Sequence, residues 1–141
     1  MTLDCTDVQS EDQLSYIFNQ TFPVTEFNKF RINSSDTITF LDSINNAGLT
    51  FEVVNLSPGP FALMAVSEYF LLASKQTLTE LTIRDSQLTT DTFPFLSLNL
   101  YPALSVLDLS GSAISVVPPL LGSMEYVDLG YGNISEITPG W

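Results

Sequence analysis

The residues of this sequence best placed to do chemistry are acidic side chains that recur within short apolar windows of its second half. They are Glu80, Asp108, Glu125 and Asp128, with Arg84 as a basic side chain among them. Two carboxylates can act as acid and base in glycoside hydrolysis, where they stand about 5–9.5 Å apart across a sugar cleft. Because the apolar windows predict an open sheet without a closed cleft, the sequence favours binding over catalysis.

The composition excludes most other catalytic chemistry. The chain has 141 residues, with 16 Asp and Glu, 4 Lys and Arg, no His and 1 Cys, for a formal net charge of −12. Without histidine there can be no Ser-His-Asp triad, no Cys-His nucleophile and no imidazole metal ligand. Calcium-loop, phosphate-loop and nucleophile-elbow motifs are also missing from the sequence. We therefore expect no enzyme activity and no cofactor.

The charge also restricts the partners. Four cationic side chains are too few to replace the counterions of a nucleic acid or to bind an anionic membrane surface. The longest apolar stretch, residues 61–73, is interrupted by Ser67 and Glu68. It is shorter than the roughly 20 residues of a membrane-spanning helix, so we expect no membrane insertion. The length and the 45% apolar content instead suit a single folded domain with its own core.

An internal repeat organises most of the chain. The template LxxLxLxxNxL of leucine-rich repeats fits windows that start at residues 27, 51, 78, 104 and 124. Of the 20 apolar positions in these windows, 19 hold apolar residues, and Thr37 is the exception. The spacing predicts an α/β solenoid, a right-handed leucine-rich-repeat superhelix with a parallel concave β-sheet.

Each window predicts one short strand, whose fourth and sixth positions point into a shared core. We expect the strands to be centred near Arg31, Asn55, Thr82, Asp108 and Asp128. The segment after the second window, residues 60–74, is apolar enough for a short helix or tight turns beneath that core.

The ninth template position is usually Asn, whose side chain bonds the turning backbone along the stack. A serine hydroxyl can form part of such a ladder, whereas glycine cannot. In this sequence the position holds Ser35, Gly59, Ser86, Ser112 and Gly132.

The two ends of the chain are predicted to differ. Residues 1–26 form an N-terminal cap, and residues 27–141 form the repeats. Ser10 and Gln13 make a capping box that opens a helix running to about Asn19, with Leu14 and Ile17 on its apolar side. No comparable cap follows the fifth window, so we expect a fragment that lacks its C-terminal cap.

Cys5 and four glycosylation sequons bear on location. A single cysteine is either a small buried apolar residue or half of a disulfide whose partner lies upstream. Asn-x-Ser/Thr sequons exceed the chance expectation slightly. Together these features favour an extracellular, secreted glycoprotein whose signal peptide is absent from this chain. The sequons are at Asn19, Asn33, Asn55 and Asn133.

The N-terminal residues follow a pattern of a cysteine, then QLxxxF, then FxxFxI. They are Leu3, Asp4, Cys5, Gln13, Leu14, Phe18, Phe22, Phe27, Phe30 and Ile32. This pattern resembles the arthropod secreted leucine-rich-repeat proteins that are similar to the non-catalytic subunit of oplophorus-luciferin 2-monooxygenase. The resemblance implies an extracellular location and a disulfide from Cys5 to an upstream cap cysteine. It implies no luciferase chemistry, because the repeat subunit of that complex is the non-catalytic one.

The concave face is predicted to carry the function. Its first strand is basic, its last three are acidic, and tyrosines of the kind enriched at interfaces flank the acidic end. Either these side chains are only hydrated strand positions, or they bind a protein partner with a basic contact patch. The alternative function is a non-catalytic structural subunit that stabilises a separate enzyme chain, such as a luciferase-type monooxygenase. The candidate partner-binding residues are Glu80, Arg84, Asp108, Glu125, Tyr126, Asp128 and Tyr131.

Asp108 and Asp128 hold the same fifth position in consecutive windows and should therefore lie on adjacent strands. Like charges directly opposite each other are destabilising. Either both carboxylates are hydrated and repel each other weakly, or they dock a basic side chain of the partner between Tyr126 and Tyr131. On this view, replacing both with Asn should leave the free protein equally stable or slightly more so.

Overall fold

The computed structural model describes residues 2–5, 8, 10–18, 26–32, 38–41, 49–56, 63–67, 71–117, 124–130 and 136–137. These residues form mostly parallel β-sheet, with few helices. The strands are β1 Thr2–Asp4, β2 Glu26–Arg31, β3 Phe40–Leu41, β4 Thr50–Leu56, β5 Ala65–Val66, β6 Glu80–Ile83, β7 Val106–Asp108, β8 Val116–Val117, β9 Tyr126–Asp128 and β10 Glu136–Ile137. The helices are α1 Glu11–Phe18 and two 3₁₀ helices, Leu72–Ser74 and Phe95–Leu100.

The main sheet has six strands in the order β1-β2-β4-β6-β7-β9, and every neighbouring pair is parallel. Two small parallel sheets, β3–β5 and β8–β10, lie outside it. Each predicted window thus contributes one strand of a parallel sheet, an arrangement compatible with an α/β repeat fold. Most of these strands end at or beside the residues expected as their centres. Arg31, Asp108 and Asp128 are the last residues of their strands.

The N-terminal segment contributes a strand that the sequence reasoning missed. Leu3 of β1 pairs with Phe30 of β2 in parallel register, so this segment extends the main sheet. The predicted helix is present as α1, and the backbone N–H of Gln13 donates to Ser10 Oγ at 3.1 Å. This bond is one half of the expected capping box. Leu14 of α1 is buried.

Apolar side chains on one side of the main sheet form the core. The fourth and sixth template positions of the first four windows are all buried, whereas Val127 in the fifth is only partly buried. Three phenylalanines join β2 to β4, with ring centroids 5.9 Å apart for Phe27 and Phe51 and 5.2 Å apart for Phe30 and Phe51. The core is therefore most complete beneath the central strands.

The stretch predicted as a helix or tight turns holds short elements where it is described. Strand β5 lies within it, and the 3₁₀ helix Leu72–Ser74 ends it. Ser74 is fully buried, and its Oγ accepts the backbone N–H of Phe51 at 2.9 Å. The hydroxyl of Thr77 donates to the carbonyl of the same phenylalanine at 2.9 Å. Two hydroxyls thus satisfy backbone groups at the start of β4.

Ser86 and Ser112, the two described serines at the ninth template position, do not form the expected ladder along the stack. Ser112 Oγ donates to the Leu109 carbonyl at 2.6 Å, and Ser86 Oγ accepts the Leu88 N–H at 3.3 Å, so each bond stays within its own turn. Backbone groups join the successive turns instead. The N–H of Gly111, for example, donates to the Gly130 carbonyl at 2.7 Å. Ser35, Gly59 and Gly132 lie outside the described residues.

Among the residues that the structure describes, no helix has both the length and the apolar character needed to cross a membrane.

Candidate partner-binding face

Side chains on the side of the main sheet away from the core form two rows, because the strands pair in register. We call these two rows together the outer face. The first row consists of the residues at the third position of each window, and the second row consists of those at the fifth position. In strand order the first row holds Lys29, Val53, Glu80, Val106 and Tyr126, and the second holds Arg31, Asn55, Thr82, Asp108 and Asp128.

Charge is distributed unevenly over the outer face. Lys29 and Arg31 lie on β2, and Asp4 of β1 is the register partner of Arg31. Towards the opposite end, Glu80 is exposed on β6, Asp108 and Asp128 end β7 and β9, and the exposed Glu125 immediately precedes β9. Parallel strands lie about 4.8 Å apart, so the two ends of the face are separated by roughly 19 Å. The predicted change from a basic to an acidic end therefore runs across the strands.

Asp108 is buried, which corrects the expectation of a solvated carboxylate at this position. Only 2% of the residue is exposed. Its Oδ2 lies 2.7 Å from Nη2 and 2.9 Å from Nε of Arg84, and its Oδ1 accepts the N–H of Ser110 at 3.0 Å. The Arg84 side chain, 51% exposed, covers it. Asp108 is therefore already compensated within the chain and does not present its charge to a partner.

The pKa values of this pair follow from the contacts. Burial by itself would raise the pKa of Asp108, but the hydrogen bonds from Arg84 and Ser110 and the charge of Arg84 outweigh it, so the pKa lies below its ordinary value. The hydrogen bond to Asp108, and then its charge, raise the pKa of Arg84. Both groups are charged at neutral pH.

Asp128 is the register partner of Asp108, as predicted, but it has different surroundings. It is partly exposed, its Oδ1 accepts the N–H of Gly130 at 2.8 Å, and its Oδ2 accepts the Tyr126 hydroxyl at 3.3 Å. The charge of Asp128 is the main reason that the pKa of Tyr126 is raised. Tyr126 is 52% exposed. This carboxylate and this ring are therefore accessible to solvent.

The two aspartates share a structural role that the sequence reasoning missed. Each accepts the backbone N–H two residues further on, that of Ser110 for Asp108 and that of Gly130 for Asp128. This bond closes an Asx-type turn, which explains why β7 and β9 end at these residues. The sequence feature that could have predicted these turns is the repeated Asp-Leu pair followed by Ser or Gly.

The remaining predicted site residues are placed as follows. Arg84 and Glu80 lie on or just after β6, and Glu125 immediately precedes β9. Asn55, a sequon residue, is half-buried on β4, which places it on the outer face. Predictions for four further residues lie outside the described part of the chain. These are Tyr131 and the sequon residues Asn19, Asn33 and Asn133.

Cys5 lies at the other end of the main sheet. It is buried, and its N–H donates to the Arg31 carbonyl at 2.8 Å. Burial, and next the charge of Asp4, raise the pKa of its thiol to about 11. The thiol borders an open groove of about 880 Å³ that Tyr16 and Ile17 also line. Burial fits the small-apolar interpretation of this residue, and the disulfide to an upstream cysteine stays a prediction.

No group of three or more His, Cys, Asp or Glu within the described ranges is arranged to hold a metal ion.

Fold and site together define a protein of mostly parallel β-sheet, compatible with an α/β repeat fold, with charged and tyrosine side chains on its outer face. The chain is similar to the Oplophorus-luciferin 2-monooxygenase non-catalytic subunit of Oplophorus gracilirostris, with 31% identity over 120 residues. The aligned part covers 85% of this chain and 33% of the relative, so the chain spans about a third of the relative's length. The resemblance to this subunit seen in the N-terminal residues is confirmed.

The relative is named a non-catalytic subunit, which agrees with the expectation that this chain is not an enzyme. No protein-family model and no solved structure matches the chain.

Proposed function

We propose that the chain is the leucine-rich-repeat part of a secreted recognition protein, with residues 1–26 as its cap and residues 27–141 as its repeats. In this proposal the outer face is the concave face of a solenoid and binds a protein partner. One observation carries the proposal: the parallel register aligns the third and fifth positions of five successive windows into two continuous rows. Repeat proteins use such aligned rows on one face of their sheet for binding.

The acidic end of the outer face is the proposed contact region. Glu80 and Asp128 present carboxylates there, Tyr126 presents an exposed ring, and the exposed Glu125 immediately precedes β9. Val106 lies between Glu80 and Tyr126 in the first row. Aromatic anchors beside apolar and charged groups are typical of interface centres. Because the chain carries a net charge of −12, the proposed partner has a basic contact patch that increases the association rate.

A set of charge reversals tests the proposed face. Glu80→Lys combined with Glu125→Lys reverses two charges at the acidic end, whereas Asp91→Lys reverses one charge at an exposed turn outside the main sheet. Each variant is immobilised and incubated with secreted fluid of the source tissue, and the retained proteins are identified by mass spectrometry. We expect a partner that the wild type and Asp91→Lys retain and that the double variant loses. Equal retention by all three proteins would contradict the proposal.

The second candidate is a non-catalytic subunit that stabilises a separate enzyme chain. The name of the similar protein favours it. Native co-purification separates the two candidates, because a structural subunit should be recovered with an enzyme in a fixed stoichiometric ratio. Removing the chain should then shorten the half-life of that enzyme's activity. A partner without enzymatic activity supports the recognition module instead.

We propose that glycosylation limits which part of the outer face can contact the partner. A glycan on Asn55 would cover the second row at β4, so contact would be restricted to β6, β7 and β9. Mass spectrometry of the secreted protein tests this: an unmodified Asn55 would leave the whole outer face available.

A further inference from the structure

Arg84 shows how a cation binds a fifth-position aspartate on this face. Its Nε and Nη2 both contact Asp108 Oδ2, at 2.9 and 2.7 Å, while Asp108 Oδ1 closes its own turn with the Ser110 N–H. Arg84 comes from the seventh position of the preceding window. It reaches across one strand spacing, about 4.8 Å, to the aspartate of the next strand.

The aspartate one strand further on has the same turn, but no described residue forms an ion pair with it. Asp128 Oδ1 accepts the Gly130 N–H at 2.8 Å, as Asp108 Oδ1 accepts that of Ser110. Its Oδ2 accepts only the Tyr126 hydroxyl at 3.3 Å among the described residues, and a carboxylate oxygen has capacity for more donors. In the preceding window, the seventh position is Ser110 rather than an arginine.

No basic side chain in the described part of the chain forms an ion pair with Asp128. The four basic residues are Lys29, Arg31, Lys75 and Arg84, and the guanidinium of Arg84 is paired with Asp108. Lys29 and Arg31 lie at the opposite end of the outer face. Arg84 also acts on Asp128 and Tyr126 through its charge, yet two carboxylates and one guanidinium leave the group with a net charge of −1.

We propose that the protein partner supplies an arginine that binds Asp128 as Arg84 binds Asp108. The inference rests on the proposed function and adds to it the type of side chain and the point of contact. A guanidinium in this place would donate two N–H groups to Asp128 and lie against the exposed Tyr126 ring. Arginine fits better than lysine because its planar group can do both at once. Ser110, at the position that Arg84 holds relative to Asp108, has a small side chain.

The first test uses acetyl-arginine amide as the probe and two-dimensional NMR of the complete chain. We expect saturable shifts of the Gly130 amide and the Tyr126 ring resonances, with half-saturation in the millimolar range. Acetyl-citrulline amide, which has the same shape without the charge, should cause no such shifts, and acetyl-lysine amide should bind at least threefold more weakly. Equal responses to the arginine and citrulline probes would overturn the inference.

Two variants locate the site. Asp128→Asn keeps an oxygen for the Gly130 N–H but removes the charge, and it should abolish the arginine response. Ser110→Arg should also abolish it, because it places an arginine at the position that Arg84 holds relative to Asp108. The Ser110 side chain also hydrogen-bonds Asp108, so this variant removes that bond as well, and Asp128→Asn is the deciding variant. Asp91→Asn serves as the matched control and should respond like the wild type. A response that survives in Asp128→Asn would overturn the inference.

The captured partner then separates this inference from the proposed function. If the inference is correct, Asp128→Asn and Ser110→Arg each weaken partner binding at least tenfold. If the Glu80→Lys, Glu125→Lys protein loses the partner while Asp128→Asn and Ser110→Arg retain it with unchanged affinity, the arginine site is wrong and the proposed function stands. If none of these variants changes the affinity, the proposed function fails as well.

Discussion

The turns after β7 and β9 share the same hydrogen bond, but their aspartates have different surroundings. In both, an aspartate at the end of the strand accepts the N–H two residues on. After β7 the carboxylate is buried under Arg84, whereas after β9 it remains open beside Tyr126. The local sequence sets the turn, but the residue that follows the preceding strand, Arg84 or Ser110, decides whether the carboxylate is paired and buried or stays exposed.

The largest expected difference between the two strands concerns their core positions. Leu107 of β7 is completely buried, while its register partner Val127 of β9 is only partly covered. Leu107→Ala should lower the free energy of unfolding by about 2–5 kcal/mol, and Val127→Ala by about 1 kcal/mol or less. Denaturant unfolding measures both values. Similar losses, or a loss below about 1 kcal/mol for Leu107→Ala, would show that β7 is not central to the core.

Removing the two aspartates should show the same asymmetry. Asp108→Ala leaves the Ser110 N–H without its acceptor and Arg84 without its partner, so it should cost about 1.5–3 kcal/mol. Asp128→Ala removes a more exposed group and should cost about 0.5–1 kcal/mol.

The structure therefore replaces the expectation that neutralising both aspartates leaves stability unchanged. Asp108→Asn should destabilise the free protein because it breaks the ion pair with Arg84, and Asp128→Asn should be nearly neutral. Thermal melts of the two single variants decide the point, and equal melting temperatures would remove the distinction between the two turns.

The glycines of the two turns offer a smaller contrast. Gly111 has φ +75°, and a Cβ built there would collide with the Asp85 carboxylate and come within 3.0 Å of its Cα. At Gly130 the nearest atom is Asp128 Oδ1, at 3.0 Å. Gly111→Ala should cost about 1–2 kcal/mol, and Gly130→Ala clearly less. The reverse order in urea melts would contradict the description of these turns.

Low pH should weaken the contribution of the turn after β7 to stability. Because the pKa of Asp108 is lower in the folded protein than its ordinary value, the ionised group stabilises the fold at neutral pH. That contribution is lost as the pH falls below about 4, toward and through the lowered pKa. Between about pH 6 and about pH 3, the free energy of unfolding should therefore fall less for Asp108→Asn than for the wild type. Asp128→Asn is the control, and identical pH profiles for Asp108→Asn and the wild type would argue against the buried ion pair.

Apolar spacing predicted the parallel strands well, since a period-two pattern inside a repeated window leaves little choice of face. Strand β1 escaped prediction because it has only three residues, of which Leu3 alone is apolar. The burial of Asp108 escaped because it depends on Arg84, 24 residues earlier in the chain. Such a contact becomes visible only when the register of two strands is known.

For a related reason, the sequence did not predict that Ser86 and Ser112 bond within their own turns. A hydroxyl at the ninth position can reach a neighbouring turn or its own, and Ser112 lies 2.6 Å from the carbonyl of Leu109 in its own turn. The bond within the same turn closes a shorter loop than a bond to the neighbouring turn, so it is easier to form. The sequence identifies the residue type at such a position, and the backbone path determines its partner.

The strictly sequential pairing of the main sheet has a consequence for how the chain folds. Lys29 pairs with Val53, Val53 with Glu80, Glu80 with Val106, and Val106 with Tyr126. Every pairing thus closes a loop of similar, moderate length, and no strand has to wait for a distant part of the chain. Folding can begin at the phenylalanine-rich contact of β2 with β4 and advance one strand at a time. Amide hydrogen exchange should accordingly slow from β9 toward β4, as a gradient along the sheet.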